Sequence, residues 1–184
     1  MKYFLIYAIS RLGVLILGRV AYPASSAKDG TDQMRYPLMY PGIGAVGAVA
    51  WGVFVIASQT LWSNAEGTTV ALVISLLFAA LCVFMFVDGL GTRHRVLPDG
   101  LRHHWPFRGD TMLRWDEIDR VETSAGMSWW VLSAGGVRRR ISYLMSNQPL
   151  FAEMMLARVL PGAMSEEVRA LLTKAAAGAP PRAF

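Results

Sequence analysis

Three histidines, one cluster of carboxylates, one run of three arginines and a single cysteine are the residues whose types permit chemistry. His103 and His104 are neighbours, so on a strand their side chains point to opposite faces and do not converge on one metal. Only a cross-strand pairing of His94 with one of them begins a ligand set. The expectation is that all three are surface histidines of strands. Asp116, Glu117 and Asp119 supply carboxylates for acid–base work, but no nucleophile or pocket signature accompanies them. They read as solvated turn carboxylates or as a cap for the turn. Cys82 sits inside an apolar run. With one cysteine no disulfide forms within the chain, and Cys82 reads as a small packing residue. No Gly-rich phosphate loop, Ser-His-Asp order or cysteine motif is present. The expected function is therefore binding, not catalysis, with no cofactor and no metal.

Arg138-Arg139-Arg140 is the densest charge run. On a strand, Arg138 and Arg140 share one face and Arg139 takes the other. Such a run serves either to guard an exposed sheet edge against aggregation or to contact anionic lipid or an acidic protein partner. Ten Asp and Glu after Val87 dilute the field of thirteen Lys and Arg there. No basic groove lined with aromatics is readable, so nucleic acid is not an expected partner. Trp129-Trp130 sends one indole inward and one outward. Trp130 is a candidate contact residue unless a following helix covers it.

These residues must be positioned by the elements around them. Two uncharged apolar runs, Gly42 to Trp62 and Gly67 to Val87, each hold about twenty residues, enough for a helix to cross a hydrocarbon layer of roughly 30 Å. Ser63-Asn64-Ala65-Glu66 between them allows only a tight reversal, which predicts a transmembrane hairpin. Neither run holds an ionisable residue. Gly42, Gly44, Gly47 and Gly52 permit close helix approach, within the hairpin or between copies of the chain in a homo-oligomer. Tyr36, Tyr40 and Trp62 sit where interfacial aromatics are expected. Lys28, Arg35, Arg93 and Arg95 flank the hairpin, so the positive-inside rule puts both termini in the cytoplasm of a bacterial inner membrane. Arg93 and Arg95 are also candidate contacts for lipid headgroups. Tyr3 to Val20 is apolar but contains Arg11. It fits an interfacial helix better than a third span; a signal peptide and translation from Met34 are the other readings. Residues 23–35 read as a loop.

After the hairpin the period shortens. Strands are predicted at His94–Leu97, Leu101–Trp105, Thr111–Trp115, Ile118–Thr123, Trp129–Ser133 and Val137–Tyr143. Turns are predicted at Pro98-Asp99-Gly100, Pro106–Asp110, Ser124-Ala125-Gly126 and Gly135-Gly136. Ser146-Asn147-Gln148-Pro149 reads as a helix start with a capping side chain. Leu150, Phe151, Met154, Met155 and Leu156 give the helix an apolar face, and Pro161-Gly162 stops it. A second helix begins at Ser165 and ends at Gly178. The fold class is thus a membrane α-hairpin of two helices plus a small, mainly β roll capped by a C-terminal helix. The segments are 1–40, 41–88, 89–162 and 163–184.

Asp99-Gly100-Leu101, the block from Leu113 to Val121, the Gly-Gly hairpin and the Leu/Phe/Met helix together resemble the bacterial pleckstrin-homology-like domains. These are often attached to small transmembrane hairpins. The resemblance covers about Pro41 to Leu160, and the Trp-Asp-Glu-Ile-x-x-Val block carries most of it. It implies that Trp115, Ile118 and Val121 point into the roll. This chain departs from the pattern in showing six strands where seven are usual. Its first hairpin loop, Pro98-Asp99-Gly100, is short and acidic, whereas lipid-binding relatives outside bacteria hold inositol phosphates with a basic one. The expected role is a membrane-anchored scaffold or regulatory subunit at the cytoplasmic face, with membrane lipids and a membrane or cytoplasmic protein as partners. The alternative is an accessory subunit of a transporter or other membrane complex, which an intramembrane ionisable residue would signal. Arg11 is the only candidate, and only if residues 3–20 span.

Overall fold

The computed structural model describes residues 31–61, 68–124 and 129–179. The expected helix at 3–20, Lys28, Trp62, the link at 63–66 and the turn at 125–126 lie outside the described residues. The chain divides into two compact units, Leu38–Thr92 and a second formed by the residues up to Pro37 together with those from Arg93 onward.

The first unit is a pair of antiparallel helices, α1 (Met39–Leu61) and α2 (Thr68–Gly91). Both are long and apolar enough to cross a membrane. Large apolar side chains, among them Val46, Val49, Val53, Ile56, Val70 and Leu77, are exposed on them. A helix of a water-soluble protein buries that stripe; here apolar surface faces outward. The inner seam is built from small residues. A Cβ on Gly44 would lie 2.6 Å from the Phe86 nitrogen and 2.8 Å from the Cys82 carbonyl oxygen, and one on Gly47 would lie 2.6 Å from Cys82 Sγ. Gly44, Gly47 and Cys82 are thus used within the pair, where small residues let the two helices approach closely. Gly42 and Gly52 meet nothing within 4 Å. Trp51 stacks on Phe78 with centroids 5.0 Å apart. The helix α2 runs four residues past the predicted end at Val87. The expectation of no ionisable residue in the hairpin is therefore corrected: Asp88 lies in its last turns, buried, and accepts a hydrogen bond from Thr92 Oγ1 at 2.6 Å.

Among the described residues the second unit contains seven strands, not six. A four-stranded antiparallel sheet has the order β1 (Gln33–Arg35), β2 (Arg93–Leu97), β3 (Gly100–Trp105), β4 (Gly109–Arg114). A three-stranded sheet has the order β5 (Ile118–Ser124), β6 (Trp129–Ala134), β7 (Val137–Ser142). The stretch read as a loop up to residue 35 is corrected at β1. Three residues carry too little pattern to read, and their partner strand lies beyond the helical pair. Met34 pairs with His94 and is fully buried. The connection between β1 and β2 is the helical pair itself, so Pro98-Asp99-Gly100 is the second connection of the sheet and not its first.

The Ser146-Asn147 signal also has a different use. Asn147 precedes α3 (Gln148–Arg158) in a left-handed conformation and its side chain makes no cap. Asn147 Nδ2 instead donates to the Thr31 carbonyl at 2.6 Å. Ser146 Oγ accepts from the Arg35 N–H at 3.0 Å, and the Ser146 N–H donates back to the Arg35 carbonyl at 2.7 Å. The outer edge of β1 is thereby covered. The last helix, α4 (Glu166–Ala176), begins as expected, with Ser165 Oγ accepting from the Val168 N–H at 3.3 Å.

The core joins both sheets to α3 and α4. Trp115, Ile118, Val121, Leu132, Ile141, Phe151, Met155 and Leu172 are all buried. Trp115 also clamps the β2–β3 turn. Its indole N–H donates to the Leu97 carbonyl at 2.9 Å and its backbone N–H to the Asp99 carbonyl at 3.2 Å. That closeness explains Gly100, where a Cβ would sit 2.3 Å from the Leu113 carbonyl oxygen and 2.9 Å from Arg114 Cα. Both obstacles are backbone and do not swing aside. Gly100→Ala should cost about 2 kcal/mol or more and lower the thermal unfolding midpoint of the detergent-solubilised protein. An unchanged midpoint would contradict this packing.

Candidate functional site

Strand register arranges the basic residues into two surfaces on two different sheets. The first is the outer face of the four-stranded sheet. Buried His94 and Val96 face inward, so Arg93 and Arg95 face outward and both are exposed. The two-residue turn at Pro98-Asp99 places Arg102 directly opposite Arg95, and Arg35 pairs with Arg93. Arg35, Arg93, Arg95 and Arg102 thus share one exposed face. Arg95 is paired with Asp32 at 3.3 Å, and His104 with Asp110 at 2.5 Å. Arg114 forks onto Asp116 with two bonds of 3.1 Å. That pairing holds the Asp116 carboxyl below its usual range. Asp116 is thus bound to a neighbouring arginine in solvent.

The second surface is β7. Gly135 and Gly136 both have positive φ (55° and 81°), which closes Ala134 against Val137 in a primed turn. Counting from that closing pair, Arg138 and Arg140 are the positions whose backbone N–H and C=O point away from β6. The edge of β5 meets Met164, while among the described residues no strand pairs with the outer edge of β7. The side chains of Arg138 and Arg140 are exposed, on the face shared by Ser133 and Val131. Arg139 is half-buried on the core side, opposite Leu132. None of the three makes an ion pair among the described residues. The structure therefore separates Arg93 and Arg95 from Arg138, Arg139 and Arg140 instead of bringing them together.

Trp130 is corrected as a contact residue. It is fully buried, its Nε1–H donates to Gln148 Oε1 at 3.2 Å, and its ring lies 4.7 Å from that of Tyr143. Gln148 also donates to the Ser142 carbonyl at 2.8 Å, which ties α3 over the indole. Trp129, half-buried, is the outward member of the pair.

The histidines also differ from expectation. His94 is 1% exposed and its ring lies 4.2 Å from that of its cross-strand partner His103, so it is not a surface histidine. Its Nδ1 is buried with no hydrogen-bond partner. Among the described residues, no cluster of three His, Cys, Asp or Glu capable of holding a metal occurs. Arg102 was legible from the alternation of Arg93 and Arg95 and the length of the turn. Arg35 was not, because its strand was not.

In comparison with known proteins, no family model, no curated protein and no solved structure matches this chain.

Burial, with smaller contributions from His103 and His104, pushes the His94 imidazole down to about 3; a backbone hydrogen bond at Arg93 opposes them. The unfolded chain takes up this proton near pH 6.5, and the folded chain refuses it. Stability should therefore fall by up to about 1.4 kcal/mol per pH unit as pH drops from about 6.5 towards 3, and be unaffected by His94 above that window. His94→Gln should flatten this acid limb in a series of unfolding midpoints. An equally steep limb in the variant would assign it to other groups.

Proposed function

We propose that this chain is a membrane-anchored binding module, with α1 and α2 crossing the bilayer and the β unit on the cytoplasmic side holding a protein partner there. The observation that carries the reading is the apolar surface that both helices turn outward along their length. In water that surface would aggregate; in lipid it is solvated. Arg35 and Arg93, on the residues flanking the helical pair, support a cytoplasmic β unit through the positive-inside rule. Seven strands in two sheets followed by a helix, with Trp115, Ile118 and Val121 in the core, agree with the pleckstrin-homology-like resemblance. The recognition surface is β7, whose open edge offers main-chain hydrogen bonds to an extended segment while Arg138 and Arg140 select for acidic side chains. Tethering to the membrane raises the effective concentration of this edge against membrane-bound partners.

A second reading, an accessory subunit of a transporter or other membrane complex, is favoured by Asp88. A buried carboxylate in a membrane-crossing helix is a common mark of a functional position.

Alkaline extraction should leave the chain in the membrane pellet and detergent should release it. Release by alkali alone would remove the membrane reading. Replacing Arg138, Arg139 and Arg140 together by Glu should leave the chain in the pellet but sharply reduce protein co-purifying from detergent-solubilised membranes. Undiminished recovery would dismiss β7 as the recognition surface.

A further inference from the structure

The hairpin tip between β3 and β4 has no role in the surfaces described so far. It reads Trp105-Pro106-Phe107-Arg108-Gly109. Gly109 has a φ of 72° and the Arg108 N–H donates to the Trp105 carbonyl at 3.1 Å, so the three central residues form a tight, defined turn. Phe107 is 57% exposed, one of the few exposed large apolar side chains of the β unit among the described residues. Its ring meets Trp105 edge-on at 5.3 Å, and the Arg108 guanidinium lies 5.2 Å over the Trp105 ring. Two aromatics and an arginine are thus gathered at one tip.

Register and connectivity place this tip at a particular end of the sheet. Arg35, Arg93, His104 and Asp110 are successive cross-strand partners and form one row across all four strands. The row lies at the end where the chain passes to the helices. Only Thr92 separates α2 from β2, and only Tyr36, Pro37 and Leu38 separate β1 from α1. The β3–β4 tip begins one residue beyond that row. The Pro98-Asp99 turn lies at the opposite end of the strands, about 13 Å away at roughly 3.3 Å per residue.

We infer that the β3–β4 tip is a second membrane contact, in which Trp105 and Phe107 enter the headgroup layer of the bilayer that holds α1 and α2 while Arg108 binds anionic lipid phosphate. The inference rests on the proposed insertion of the helices. Aromatic rings with a polar handle partition to this layer, and arginine beside them meets the negative surface potential of the leaflet. Such a contact would limit rotation of the β unit about its short connections and fix the direction in which β7 is presented.

The test uses the full chain with Cys82 replaced by Ala, reconstituted in bilayers of phosphatidylcholine and phosphatidylglycerol containing nitroxide-labelled lipid. Single cysteines at Pro106→Cys (tip), Asp99→Cys (opposite end) and Val53→Cys (outward on α1) carry an environment-sensitive fluorophore. Quenching at 53 and 106 but not at 99, with loss of the 106 signal on adding Phe107→Asp and Arg108→Glu, is the expected result. Quenching at 53 with equal, low quenching at 106 and 99 overturns the tip contact and leaves the membrane reading standing. Absence of quenching at 53 overturns both.

Discussion

The pairing of β1 with β2 is the constraint on which the rest of this molecule depends. These neighbours in the sheet are separated in the chain by the whole helical pair. A short strand whose partner is so distant gains little from local propensity and must be held by tertiary bonds. Met34 provides the apolar share, buried against the sheet beside His94. Asn147 and Ser146 provide the polar share by bonding the backbone at Thr31 and Arg35. Two side chains that look like helix caps thus tie together the two parts of the chain that form the β unit. Both ends of the helical pair connect in sequence to adjacent strands of one sheet.

The same economy is visible at Trp115. The block from Leu113 to Val121 is rich in charge and contains a tryptophan. Its physics is structural: the indole anchors a turn of the other sheet, Ile118 and Val121 fill the core, and Asp116 is occupied by Arg114. Arg138, Arg139 and Arg140, by contrast, make no ion pair among the described residues. Solvated ion pairs contribute little to stability, so the uneven pairing matters little for folding.

His94 shows the cost of this arrangement. A histidine alternating with arginines on a strand must share the inward face when its neighbours turn outward. Burial then keeps it neutral, and its exposed neighbours supply all the charge of that strand.

Much of the fold was legible in the residues. Long uncharged runs can be satisfied only as helices once water is excluded, because every backbone group must then bond internally. Gly135-Gly136 and Pro98-Asp99-Gly100 announce their turns, and six of the seven strands follow from alternation between such punctuation. The arginines of β7 were visible as a run, and their shared face followed from the period of a strand. The tertiary structure decided what lies opposite what. It made residues 33–35 a strand, buried Trp130 beneath Gln148, set His94 against His103, brought Arg35 and Arg102 alongside Arg93 and Arg95, and carried Asp88 into the last turns of α2. Each of these depends on partners distant in the chain, and local pattern records which face a residue takes but not which neighbour meets it there.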